Sequence, residues 1–351
     1  MTSREIPQIK ATEVGDLIET VPYLMGFHPS ESLVLLGFLP ASAPRIREVS
    51  VTVRIDLPAA GLDDWLLAPL IEALTSSGTA AVVAMAFTEA PVGDPRVSPV
   101  LMGLTSALVE ELAGTGVQLL DVLAINGTSW WSMCCREPRC CPAQGKPRLL
   151  ETSKVAVNAT YAGLVALPDR QALAATLDGR PPDVRAVLEP ALAAAEDRVT
   201  QAVLRNGLTR FQREEFLALL DAATGAVPKQ PLSDEQLARF GVALTDGEIR
   251  DLVWMAIDSH RLQATEFLAE LHSRLPSPYD AGPLFLFGWD RWRSGNGTLA
   301  AMAAERALES DPEYSAAELL LGAVSYGMDP ATIPQLARSP EQGPDPLSRG
   351  A

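Results

Sequence analysis

The sequence predicts an α/β (mixed sheet) N-terminal domain followed by an all-α helical domain with a tetratricopeptide-like C-terminal hairpin. Up to residue 125, short apolar runs bounded by breakers alternate with amphipathic stretches of helical spacing, the pattern of strands and crossover helices. From Thr152 onward the chain becomes alanine- and leucine-rich with helical periodicity. A chain of 351 residues accommodates two domains, each able to bury its own core. The expected boundaries are 1–165 for the α/β domain with its cysteine loop, 166–330 for the helical domain, and 331–351 for a disordered tail rich in Pro, Gly, Ser and Gln.

In order along the chain, Val14, Leu17, Ile18, Val21 and Leu24 recur at helical spacing, with Pro22 expected to bend or end the helix early and Gly26 to cap it. Leu33 to Phe38 reads as a buried strand. Arg47 to Asp56 alternates, with Val49, Val51, Val53 and Ile55 on one face, so the two segments are expected to form a hairpin. A helix over 62–74 and an apolar strand over 80–87 follow, then a helix over 98–113 and a strand over 117–125 carrying Asp121 near its middle. This order implies a sheet that is parallel at least in part. Asn126-Gly127 signals a turn, so Ser129 to Cys134 is expected to run back antiparallel with Trp130 and Trp131 on opposite faces. The helical half divides into segments over 168–177, 183–204 with a kink at Pro190, 210–223, 234–240, 245–257, 261–275 and three more. Thr245 and Glu248 stand at capping-box spacing.

A formal charge of −16 opposes general nucleic-acid binding, which draws on cationic contacts. No apolar run approaches the ~20 residues a membrane span needs, and the residues after Met1 lack the charged-then-apolar order of a signal peptide. The expectation is a soluble cytoplasmic protein, away from membranes, with a protein partner. The sequence has no G-x-S-x-G, no G-x-x-x-x-G-K, no G-x-G-x-x-G after a strand and no H-E-x-x-H, which removes support from common hydrolase, nucleotide-binding and zinc-protease classes. The residues name no cofactor and no oligomeric state.

All four cysteines fall between Gly127 and Pro147, as the adjacent pairs Cys134-Cys135 and Cys140-Cys141. Trp130 and Trp131 precede them, and Pro138 and Pro142 stiffen the segment, which is expected to be a loop whose prolines cannot join a ladder. Three readings stand. Cys135, Cys140 and Cys141 could ligate a metal, although zinc's usual second, distant pair is missing and His28, His260 and His272 are remote in sequence. Cys135 could instead pair with Cys140 or Cys141, as a disulfide or more readily as a switchable dithiol, because Arg136, Arg139, Lys146, Arg148 and Lys154 outnumber Glu137 and Glu151 and cations favour thiolate. Two of the cysteines could instead be small buried hydrophobes beneath the tryptophans.

A second candidate loop holds Tyr23, His28, Ser30, Glu31 and Ser32, between the first helix and the first strand. His28 beside Glu31 could serve as a general base. The structural alternative is a turn in which Ser30 caps backbone donors and Tyr23 packs beneath.

Three segments together resemble an actinobacterial family, domain-of-unknown-function family 4192. They are Leu17 to Phe38, with Val21-Pro22-Tyr23-Leu24-Met25-Gly26-Phe27-His28-Pro29-Ser30-Glu31; Trp130-Trp131-Ser132 with Cys135, Pro138, Cys140, Cys141 and Pro142; and Pro283 to Pro330, with Gly295-Asn296-Gly297 and Asp311-Pro312-Glu313-Tyr314. Against that pattern Met133 stands where an aromatic residue is usual, and Cys134 is an extra cysteine. The resemblance implies no activity. The functional expectation is an interaction or regulatory module with a redox-sensitive or metal-binding cysteine loop; the alternative is an enzyme whose active site joins the His28 and Cys140 loops.

Overall fold

The computed structural model describes residues 11–41, 48–57, 64–89, 98–148, 153–161, 164–224 and 231–336. The expectations for the N-terminal residues 1–10 and for the tail beyond 336 lie outside these. Two compact units appear, one of residues 1–173 with 325–329 and one of 174–324 with 330–351.

The first unit begins with α1 (Val14–Met25), which runs through Pro22 and ends at Gly26 in the left-handed conformation. Pro22 therefore does not end the helix early. It lies in the last turn, so the helix gives up one bond, to the Ile18 carbonyl, with only three residues left to follow, and its ring is buried with Val21 and Met25. Strand β1 (Ser32–Phe38) is buried at every position and pairs antiparallel with β2 (Val49–Asp56), the expected hairpin. Helix α2 (Asp64–Ser76) leads to β3 (Ala81–Phe87), antiparallel to β1. Helix α3 (Pro99–Leu112), capped by Ser98, crosses to β4 (Gln118–Ile125), parallel to β3. Strand β5 (Ser129–Ser132) returns antiparallel beside β4, and the two-residue β6 (Lys146–Pro147) closes the order β2-β1-β3-β4-β5-β6. The sheet is thus mixed.

One sheet face, with Leu33, Leu35, Val82, Ala84, Val122, Ala124 and Trp131, packs against Leu67, Leu70, Ile71 and Leu74 of α2 and Leu101, Leu104 and Leu108 of α3. The intervening residues Val34, Leu36, Met85, Leu123 and Ile125 are buried as well, which explains the near-continuous apolar runs of β1 and β3. Helix α4 (Lys154–Tyr161) packs with α1.

The remaining helices are α5 (Arg170–Ala175), α6 (Pro182–Ala186), α7 (Glu189–Asn206), α8 (Leu208–Thr224), α9 (Asp234–Ala243), α10 (Gly247–Asp258), α11 (Thr265–Arg274), α12 (Ala281–Arg293), α13 (Gly297–Ser310) and α14 (Ser315–Ser325). Pro190 does not kink one long helix. The segment divides at 187–188, and Pro190 sits in the first turn of α7, where its missing N–H would have had no partner. The cap of α10 is Asp246 rather than Thr245. Asp246 Oδ1 accepts from the Glu248 and Ile249 amides at 3.0 and 3.1 Å, an anion at the positive helix end. Helix α12 is buried nearly all round and crosses α13 closely, with Gly288 facing Ala300 and Ala303. Nothing in this packing sets it apart from any other tight helical hairpin.

Candidate thiol centre in the cysteine loop

The Asn126-Gly127 signal produces the tight reversal it predicts. Asn126 Oδ1 accepts from the amides of Thr128 and Ser129 at 2.9 and 2.7 Å. The reversal fixes the register of β5, setting Ile125 opposite Trp130, Ala124 opposite Trp131 and Leu123 opposite Ser132. Trp131 therefore enters the core between sheet and helices with Met133, while Trp130 takes the other face under the Lys146 ammonium, 5.1 Å from its ring centroid. Pro147 does join a ladder, contrary to expectation. It lies in the outermost strand, where a missing donor is tolerated, and Arg148 donates the next bond to the Thr128 carbonyl at 2.9 Å.

Polar contacts below and within the loop hold it. Ser132 Oγ donates to Asp121 Oδ1 at 2.7 Å and accepts from the Cys135 amide at 2.9 Å, so Asp121 and Ser132 fix where the loop leaves the strand. Glu137 to Cys140 forms a turn with Pro138 at its second position, and the Glu137 carbonyl accepts from both the Cys140 and Cys141 amides, at 3.0 and 2.7 Å. Pro142, half-buried, starts a second turn, its carbonyl accepting from the Gly145 amide at 2.9 Å. The Trp131 indole donates to the Ala143 carbonyl at 3.0 Å.

These turns bring the Sγ atoms of Cys135, Cys140 and Cys141 within 4.8 Å of one another, with Cys140 and Cys141 at 3.9 Å. Cys134 is exposed and outside this group. Continuing the β4–β5 register places it across from Asp121. No disulfide joins the four cysteines. The Cys135 thiol is pushed below its ordinary pKa, chiefly by a hydrogen bond from the Glu137 backbone and then by one from Cys141. Cys141 is pushed up to about 12, first by burial and then by its hydrogen bonds to Cys135 and Cys140. At neutral pH the cluster thus pairs one thiolate-prone sulfur with one held protonated. Cys135 is expected to be alkylated first and Cys141 last at pH 7.5, read by timed iodoacetamide labelling and peptide mapping; equal rates at the two would contradict this assignment.

The second candidate loop is held by main-chain bonds. His28 N donates to the Leu167 carbonyl at 2.9 Å, and Phe27 bridges Leu167. His28 is exposed, and its pKa is lowered first by partial burial and then by Arg148, with Glu19 opposing. Tyr23 is half-buried. Glu31, at φ 41°, caps the end of β3, accepting from the Glu89 amide at 2.5 Å and from Thr88 Oγ1 at 3.2 Å. Ser30 Oγ donates to Glu89 at 3.3 Å, so Glu31 rather than Ser30 does the capping. Ser32 is buried, donating to the Ser30 carbonyl and accepting from Arg54.

Sequence reasoning missed Glu19, whose carboxylate meets the Arg148 guanidinium at 3.0 Å with both side chains under 10% exposed. It quoted Ser132 only as part of a motif, without its bonds to Asp121 and Cys135, and missed the packing of Gly145 against Trp131. Asp121, a carboxylate in an apolar strand, was the one visible signal of this support.

Residues 15–331 match the family model described as Domain of unknown function (DUF4192). The chain belongs to this family. The match spans all three segments whose motifs resemble it, including the whole cysteine loop. No curated protein and no solved structure matches the chain significantly. Among the described residues, no helix is long and apolar enough to cross a membrane.

Proposed function

We propose that this DUF4192 chain is a regulatory or interaction module whose cysteine loop binds a thiophilic cation, zinc above all, through Cys135, Cys140 and Cys141. The observation that carries the reading is the convergence of three sulfurs from one short loop. A tetrahedral zinc with Zn–S bonds of about 2.3 Å sets its sulfurs roughly 3.8 Å apart, close to the 3.9 Å between Cys140 and Cys141. Three protein ligands leave the fourth position for solvent or a partner's donor group. The Asp121–Ser132–Cys135 chain supplies the outer support that such sites use to orient a ligand.

Binding must displace the Cys141 proton, so the apparent affinity rises with pH across the neutral range. Titration of the reduced chain with zinc against a competing chelator is expected to give one ion per chain. Cys135→Ser, Cys140→Ser and Cys141→Ser should each weaken binding by roughly tenfold to a hundredfold, while Cys134→Ser leaves it unchanged. Failure to bind zinc, or a Cys140→Ser variant that binds as tightly as the unchanged chain, would overturn the proposal. Turnover of a metabolite that is lost in both His28→Ala and Cys140→Ala would establish the enzyme reading instead.

A further inference from the structure

The residues just after α14 are held by an arrangement independent of the cysteine loop. Asp258, the last residue of α10, has a fully buried side chain. Its Oδ1 accepts from the Trp289 indole at 2.9 Å and from Arg293 Nε at 2.6 Å, both on α12. Its Oδ2 accepts from the Leu336 amide at 2.7 Å. Arg293 turns its two terminal nitrogens the other way. Nη1 donates to the carbonyls of Ile333, at 3.0 Å, and Pro330, and Nη2 donates to that of Pro334 at 3.3 Å. The guanidinium also lies over the Trp289 ring, 5.2 Å from its centroid. Residues expected from composition to open a disordered tail are therefore gripped as far as Leu336.

Every one of these bonds to 330–336 goes to main chain. A buried carboxylate is tolerated only when its oxygens are satisfied, and Trp289 and Arg293 satisfy one of them from within the fold. The other is served by an amide from a segment with no described helix beyond its first turn. Arg293 likewise spends its outward donors on carbonyls of that segment. Charge-assisted bonds of this kind are strong, and two carbonyl acceptors belong to prolines, whose restricted φ lowers the cost of ordering the 3-10 turn at Pro330–Thr332 and the residues after it. A main-chain clamp does not depend on which side chains the peptide carries.

We infer that Asp258, Trp289 and Arg293 form a docking site for a proline-containing peptide that enters as one 3-10 turn and runs on without a helix, filled in cis by residues 330–336 and available to such a segment of a partner protein that displaces them. The test uses the full chain and a fluorescent peptide with the sequence of residues 329–337. Leu336→Pro removes the amide that reaches Asp258 and so weakens the cis occupant. Fluorescence anisotropy should show the peptide binding at least tenfold tighter to Leu336→Pro than to the unchanged chain. The gain should disappear in Leu336→Pro/Arg293→Lys, which keeps the charge but loses the fork. Equal affinity for the unchanged chain and Leu336→Pro, or full binding by the double variant, would overturn the inference. Hydrogen exchange on the unchanged chain gives a readout that needs no variant. A large excess of peptide should speed exchange of the Leu336 amide, and an unaltered rate would equally overturn it.

Discussion

Glu19→Ala is expected to destabilise the N-terminal unit by about 3–5 kcal/mol, the usual cost of removing one partner of a buried ion pair. The Glu19 carboxylate meets Arg148 with both oxygens, at 3.0 and 3.4 Å, and the two side chains are 6% and 9% exposed. Arg148 also donates to the Asn126 carbonyl at 3.1 Å, so the guanidinium joins α1, the β4–β5 turn and the end of the cysteine loop. Without Glu19 that cation stays buried with, among the described residues, the neutral Asn126 carbonyl as its acceptor. The shift in urea midpoint at unchanged slope measures the loss. A loss below about 1 kcal/mol would mean that water enters and solvates Arg148. Glu19→Ala/Arg148→Met should recover part of the stability, because an apolar replacement of similar length leaves no buried charge. His28 reports the same change independently. Glu19 now raises its pKa against burial and Arg148, so removing the carboxylate should lower it further, visible in an NMR titration.

Much of the sheet was legible because strands and breakers announce themselves locally. Leu33 to Phe38 is apolar throughout since β1 lies between β2 and β3 and is covered on both faces, and Val51, Val53 and Ile55 alternate because β2 is covered on one. Asn126-Gly127 gave the reversal, and with it the facing of both tryptophans. Proline was the less dependable guide. At Pro190 the missing N–H had no partner, at Pro147 the strand is the outermost one, and at Pro22 a single bond is given up near the helix end; each outcome is a property of the assembled structure. The sequence singles out Cys135, Cys140 and Cys141 as a group but leaves metal, dithiol and packing readings open, because the geometry that joins them is not local. Cys135 and Cys140 have the C-x4-C spacing of a knuckle but lack its second, distant pair, and the turn at Glu137 to Cys140, together with the Ser132 anchor on Asp121, folds the two ends together. The grip of Asp258 and Arg293 on residues 330–336 couples positions about 40 to 80 residues apart, and composition alone suggested disorder there.

Gly145 is where loop geometry and core packing meet, and Gly145→Ala is expected to cost about 2–5 kcal/mol. Its backbone sits at φ 79°, a region that costs an L-residue roughly 1–2 kcal/mol. An added Cβ would also lie 2.6 Å from Cε2 and 2.8 Å from Cζ2 of Trp131. That ring has no easy retreat, being buried among the residues between sheet and helices and tied through its indole to the Ala143 carbonyl. Overpacking of this kind costs a further ~1–3 kcal/mol. Gly114→Ala separates the two contributions, since Gly114 has φ 82° but nothing within 4 Å of an added Cβ. It should lose about 1–2 kcal/mol through backbone strain alone. If the two variants melt alike, the clash at Trp131 has been absorbed and the loop is softer than its packing indicates. If Gly145→Ala loses more, as expected, its zinc affinity should also fall by tenfold or more while Gly114→Ala binds normally. Movement of Gly145 away from Trp131 displaces the second turn, which follows directly on Cys140 and Cys141, and a metal site tolerates only about 0.5 Å of such displacement.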